Sequence, residues 1–312
     1  MPDSGAADAF PVLVPHGAAC RQTADAFAFK WGKTDTFGSP AMREATRTWL
    51  LDRYCGGDPD RLAEWLSTPG RLILDAGCGA GLSGSLLFAP HLAQHTYLGI
   101  DLTSAVTVAA QQFIERGLQA RFLRADLSAL PIRPGSADLI LCEGVLHHIQ
   151  EPIVALRQLA MALSPQGRML FYVYARKAPV REFTDDWIRY QLMSLSDEQA
   201  WEALRPLTRL GQALGSLGVS VEVPEDVPQL GIPKGVYPVQ RLFYWYFCKA
   251  YHRPDYTIEE LQHVNFDWYR PLVCHRQSPV EVEGWCGTVG LSIERLHVDD
   301  AGISVVARRS DA

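Results

Sequence analysis

The sequence predicts an α/β fold: a doubly wound, seven-stranded and largely parallel sheet with a C-terminal antiparallel hairpin and an inserted helical cap. Three observations predict it. Short apolar runs alternate with helix-period segments between residues 71 and 174. The first run, Leu72–Leu74, ends in Asp75 and enters Gly77, Gly79 and Gly81, one glycine at every second position. Two late runs, 292–298 and 303–309, flank Asp299-Asp300-Ala301-Gly302, which has the chemistry of a tight antiparallel turn.

Taken in order, residues 1–20 read as a loose leader without the basic start of a secretory signal. Residues 21–38 are aromatic, with Phe27, Phe29, Trp31 and Phe37, but show no clear strand or helix period. Ser39-Pro40 places a cap and a first-turn proline at the start of a helix running through Trp49, Leu50 and Leu51, and a short helix follows near Asp60–Leu66. The alternation then gives strand 72–75, helix 82–89 and strand 96–100. Ser104 is expected to cap a helix with Val106, Ala109, Ala110 and Phe113 facing inward, ended by Gly117. Strands 121–124 and 137–142 lead to Asp126 and Glu143. Pro152 opens a helix stopped by Ser164-Pro165-Gln166-Gly167, and strand 168–174 follows.

Residues 176–277 break the pattern and read as helices and loops. Ser196 with Gln199, and Thr257 with Glu260, have capping-box spacing. A proline-rich loop, 223–238, and an aromatic helix, 241–251, lie between them. Ser278-Pro279-Val280-Glu281 opens the helix before the final hairpin. The expected organisation is therefore an N-terminal lid with helices (1–70), a nucleotide-binding core (71–175), an inserted cap (176–277) and a segment completing the core sheet (278–312).

Composition narrows the function. The chain has 312 residues, 47% hydrophobic and 21% charged, which is ordinary globular material. A net charge of −6 without a long basic run disfavours a nucleic-acid partner. The longest strongly apolar run, Leu242–Phe247, is too short to span a membrane. The seven cysteines form no C-x-x-C pair, so no metal site is expected, and they read as small buried side chains of a reduced, cytoplasmic protein.

A strand, a glycine turn and a helix N-terminus make a nucleotide crevice. Gly79-x-Gly81-x-x-Gly84 fits a dinucleotide fingerprint, and Asp101, 20 residues after Gly81, suits the ribose hydroxyls of NAD or of S-adenosylmethionine. The loop alone leaves both cofactors open. The C-terminal hairpin is not the usual ending of the six-stranded dinucleotide fold.

Further motifs favour one cofactor. Leu74-Asp75-Ala76-Gly77-Cys78-Gly79-Ala80-Gly81, Gly99-Ile100-Asp101-Leu102, Ala125-Asp126-Leu127 with Leu130-Pro131, and Ser136–Ile140 leading into Glu143–Ile149 stand in order. With Leu163–Gly167, they resemble the motifs of the class I S-adenosylmethionine-dependent methyltransferases, in particular the ubiquinone/menaquinone-type small-molecule group. Gln166 departs from the usual Leu-x-Pro-Gly-Gly turn. The resemblance implies a Rossmann-like core, S-adenosylmethionine as cofactor and S-adenosylhomocysteine as product. Carried over by position, Asp75, Gly77, Cys78, Gly79, Gly81 and Glu143 would surround the amino-acid part of the cofactor. Asp101 and Leu102 would meet its ribose and adenine, and Asp126 and Leu127 its adenine.

His147 and His148 are the candidate bases, for acceptors that need one. A packing role for the pair is the alternative. Trp31, Tyr174, Arg181, Asp185, Tyr244, Asn265, Trp268, His275 and Arg276 are the candidate substrate contacts. The expected function is methyl transfer to a small molecule, a specialised metabolite by the size and aromatic content of the insert. A non-catalytic subunit that only holds the cofactor or its product is the alternative. Acceptor atom and oligomeric state stay open.

Overall fold

The computed structural model describes residues 17–310; the expected leader lies largely outside them. The chain divides into two compact units, one of residues up to 32 with 43–175 and 273–312, the other of residues 33–42 and 176–272.

In the first unit, α1 (Ala18–Gly32), α2 (Pro40–Cys55, its first residues in the second unit) and α3 (Asp60–Trp65) precede the sheet. Alternation follows: β1 (Leu72–Ala76), α4 (Leu82–Phe88), β2 (Thr96–Asp101), α5 (Ala105–Glu115), β3 (Arg121–Arg124), β4 (Ala137–Glu143), α6 (Pro152–Ala162) and β5 (Leu163–Tyr174). The strand order is β3-β2-β1-β4-β5-β9-β8, with β8 (Leu291–Val298) and β9 (Gly302–Arg309) reached after the insert and after α11 (Pro279–Thr288). Pairings from β3 to β5 are parallel, and β9 runs antiparallel to both β5 and β8. The chain reverses its order between β1 and β4, so the carboxyl ends of these strands flank the crevice where ligands of open α/β sheets bind.

Two-residue periodicity divides the strands between two buried faces. Leu74, Ala76, Ile140, Cys142, Phe171, Val173, Ile303 and Val305 pack in one cluster with α6 and α11. Ile73, Asp75, Leu141 and Glu143 occupy alternate positions on the same strands. The hairpin turns as expected: the Asp299 carboxylate accepts from the backbone N–H of Ala301 and Gly302, each at 2.9 Å.

Several expectations change. Residues 18–32 form a regular helix although no period shows, because its buried positions are Thr23, Ala26 and Lys30, two of them polar. Ser104 is already helical and makes no cap bond. The Thr103 hydroxyl accepts from Ala105 N–H instead, at 3.2 Å. Strand β5 begins at Leu163 rather than 168, since Leu163 pairs with Ala137 across a register shift.

The second unit holds α7 (Pro179–Leu192), α8 (Asp197–Ser216), a ribbon of β6 (Ser220–Val223) and β7 (Gly235–Pro238), α9 (Val239–Tyr246) and α10 (Ile258–Tyr269). The ribbon occupies the ends of the expected proline-rich loop, and the aromatic helix stops at Tyr246, not 251. Both expected capping boxes form. At its centre the fully buried Asp185 carboxylate accepts from Arg181 Nε at 2.6 Å, Trp268 Nε1 at 2.8 Å and Tyr269 Oη at 2.8 Å. The Arg181 guanidinium also donates to the Tyr244 carbonyl.

Removing one partner of a buried ion pair leaves the other charge unmatched, at a cost of about 3–5 kcal/mol. Asp185→Ala should therefore lower unfolding free energy by about that amount in a urea titration. A loss below about 1 kcal/mol would mean that the pair is not buried as described.

Candidate functional site

The crevice begins where β1 ends. Gly77, Gly79 and Gly81 have φ of +80°, +51° and +77°, conformations that side chains beyond glycine rarely adopt. Each is also crowded: a Cβ would meet the Val145 side chain at Gly77, the Trp31 indole at 2.7 Å at Gly79, and Phe113 at 2.8 Å at Gly81. The spacing of the glycines thus reflects both backbone and packing. The loop is fastened to β2, since Gly77 and Cys78 both donate backbone N–H to the Ile100 carbonyl, at 2.6 and 3.0 Å.

Asp101 completes the fastening. One carboxylate oxygen accepts from Gly79 N–H at 2.9 Å, and the other from Thr103 N–H and Oγ1 at 2.8 and 2.7 Å. A carboxylate has about four lone-pair sites, so acceptor capacity remains for a ligand's hydroxyls. Asp126 lies two residues beyond the end of β3 and accepts from Ser128 N–H at 2.7 Å through Oδ1. Leu127 is buried in the core below it, and the Leu102 carbonyl accepts from Arg124 Nε at 2.9 Å.

Two carboxylates lie on the face of the sheet away from α6. Asp75 is buried and accepts from the Tyr97 hydroxyl, and burial pushes its carboxyl up to about 7. Glu143, at the end of β4, accepts from the Tyr54 hydroxyl and is likewise raised by burial to about 7. Positive charge placed beside Glu143 would favour its ionised form. Cys78 is buried against them, and burial pushes its thiol far above the usual range.

The two histidines differ. His147 is fully buried, its ring tilted over Tyr174 with centroids 3.7 Å apart, and its carbonyl accepts from His275 N–H at 2.8 Å. His148 donates from Nδ1 to the Val273 carbonyl at 2.7 Å, which leaves Nε2 as the basic nitrogen of the neutral ring. Phe27 of α1 meets the His148 ring edge-on at 4.8 Å. Through Phe27 and Trp31, α1 therefore touches both His148 and the glycine loop.

The candidate substrate contacts fall into separate places. Trp31, Tyr174, His275 and Arg276 belong to the first unit, although His275 and Arg276 were expected in the insert. Arg181, Asp185, Tyr244, Asn265 and Trp268 are buried within the second unit. There Asn265 donates to Thr208 Oγ1 at 3.0 Å and accepts from Tyr251 N–H at 3.0 Å, while Arg181, Asp185 and Trp268 satisfy one another. These polar groups serve the interior of their own unit. Sequence reasoning missed Tyr54, whose position on the apolar stripe of α2 gives no local sign of a site.

A polar groove of about 750 Å³ lies at the opposite ends of the strands, lined by Arg71, Arg168 and Arg308 among others. Three of its arginines are matched internally: Arg71 with Asp138 at 2.9 Å, Arg168 with Glu294 at 2.8 Å, and Arg308 with Glu294. Among the described residues no cluster of three metal-ligating side chains occurs, and no helix is long and apolar enough to cross a membrane.

Comparison with known proteins agrees with the loop geometry. The family model described as a methyltransferase domain matches residues 74–171. Phosphoethanolamine N-methyltransferase 1 of Arabidopsis thaliana is 30% identical over 161 residues, 51% of this chain and 30% of its own. A ubiquinone biosynthesis O-methyltransferase of Stutzerimonas stutzeri is 27% identical over 163 residues, 51% of this chain and 68% of its own. A probable tRNA methyltransferase 9B of Homo sapiens is 33% identical over 145 residues, 45% of this chain and 30% of its own. The chain spans less than half the length of the first curated relatives it matches. The matched stretch, residues 74–171, carries the glycine turn, Asp101, Asp126 and Glu143, and is similar to a methyltransferase domain.

Proposed function

We propose that this chain transfers a methyl group from S-adenosylmethionine to a small-molecule acceptor, a specialised metabolite, in the cytoplasm. The observation that carries the reading is the glycine turn fastened to Asp101, with Asp126 just beyond the end of β3. These residues fit the cofactor by their chemistry: a turn without side chains for close approach, and carboxylates with acceptor capacity left for ribose hydroxyls and an adenine amino group. When bound, S-adenosylmethionine supplies a methyl group already activated on a sulfonium.

The protein's own work is then to bind, orient and exclude water. Asp101 and Asp126 hold the nucleoside part. Glu143 holds positive charge at the amino-acid end. His148, its proton fixed on Nδ1 by the Val273 carbonyl, is the candidate base for an acceptor hydroxyl. His147, without exposed surface, supports the ring stack beneath it. The second unit is assigned the choice of acceptor, in keeping with its many aromatic side chains. A net charge of −6 supports a small molecule over tRNA, the substrate named for several relatives. Seven free cysteines support a reducing compartment.

Incubation with methyl-labelled S-adenosylmethionine and a metabolite-rich extract tests the reading. Label is expected in the small-molecule fraction. Label confined to a ribonuclease-sensitive macromolecular fraction would replace the acceptor class, and binding without transfer would indicate a cofactor-holding subunit.

Asp101→Ala removes a charged acceptor for two ligand hydroxyls, each bond contributing about 1.5–3 kcal/mol. Affinity for S-adenosylhomocysteine should fall about 100-fold or more by calorimetry. An unchanged dissociation constant would remove Asp101 from the cofactor site.

A further inference from the structure

Helix α2 lies outside the matched methyltransferase domain, yet it is locked to the end of β4. Tyr54 is fully buried, and its hydroxyl donates to Glu143 Oε2. The preceding residue, Arg53, is 1% exposed and donates to both Asp299 oxygens at 3.1 and 2.8 Å and to Ser304 Oγ at 3.0 Å. Its guanidinium lies 3.8 Å from the Trp49 ring centre and 4.4 Å from that of Tyr172, which is the register partner of Glu143. Asp75 pairs with Leu141, so two residues further on Glu143 stands level with Gly77, where β1 becomes the glycine turn. A carboxylate is thus held at the mouth of the crevice by a phenol that cannot reorient.

We propose that Tyr54 is a positioning residue of the cofactor site, holding the Glu143 carboxylate as acceptor for the ammonium group of S-adenosylmethionine. This rests on the cofactor reading above. The groups acting on Glu143 are Tyr54 and Arg53 from α2, Asp75 from β1 and Cys142 from its own strand. Burial pushes Glu143 up to about 7 and Asp75 pushes in the same direction, while the Tyr54 hydrogen bond and Arg53 pull it down. The phenol itself stays protonated, because burial and the Glu143 charge raise it. An arriving ammonium favours the carboxylate, so Glu143 releases a proton to solvent as ligand binds. Affinity is therefore full above the Glu143 range and falls as pH drops through it. Without the phenol, the range moves up.

The test is calorimetric titration of the full chain between about pH 6 and pH 8.5, a span that brackets the raised carboxyl. The ligands are S-adenosylhomocysteine and 5′-methylthioadenosine, which lacks the amino-acid part, with melting temperatures measured alongside. Wild-type affinity for S-adenosylhomocysteine should be level at the upper limit and weaken below neutrality, approaching about tenfold per pH unit. Tyr54→Phe should move that fall upward, weakening binding several-fold at pH 7 and converging on wild type at the upper limit. Methylthioadenosine should show neither effect. Glu143→Gln should bind S-adenosylhomocysteine more weakly, without the pH dependence, and carries the test alone if Tyr54→Phe does not fold. Equal, pH-independent losses for both ligands would overturn the proposal in favour of a packing role. So would an unchanged pH profile in Tyr54→Phe, or one retained in Glu143→Gln. If wild type binds neither ligand at any pH, the cofactor reading fails and takes the proposal with it.

Discussion

The structure depends on one carboxylate. Asp101 accepts the Gly79 N–H on one oxygen and the start of α5 on the other, through Thr103. It thereby fixes a turn of three glycines in conformations that no other residue would hold cheaply. The Ile100 carbonyl, one residue earlier, takes two more N–H groups of the same turn. The end of β2 therefore serves as the template on which the end of β1 is shaped. Strand order then sets β4, with Glu143, on the other side of the opening.

Around that opening the balance of charge is unusual. Asp75 and Glu143 are carboxyls that burial holds near neutrality, each bridged by a tyrosine hydroxyl from a different element. Their lone phenolic partners satisfy hydrogen bonding without neutralising charge. Positive charge arriving beside Glu143 favours its ionised form, so this end of the site suits a cation. A ligand bearing an ammonium and a sulfonium has the matching character.

What was legible in the sequence was local. The glycine turn, the strand-ending acids and the capping boxes each depend on residues a few positions apart, and their chemistry shows in the letters. Helix α1 was not legible, because Thr23 and Lys30 occupy its inner face and mask the period. Tyr54 was not legible either: its partner is 89 residues away, and on α2 it reads as one more apolar-stripe residue. The polar and aromatic residues of the insert were visible as a concentration, and a substrate role followed naturally. Their actual partners, Arg181 with Asp185 and Asp185 with Trp268, exist only once α7 and α10 pack, so sequence gave no means to separate internal pairing from ligand contact.

The crevice between β1 and β4 is built for S-adenosylmethionine and not for a dinucleotide, although Gly79-x-Gly81-x-x-Gly84 would allow either by spacing. Parallel calorimetric titration of the purified chain with S-adenosylhomocysteine and with NADH tests it most directly. Saturable binding of S-adenosylhomocysteine and none of NADH is expected. Saturable binding of NADH alone would contradict it, and with it the roles given to Asp101, Asp126 and Glu143.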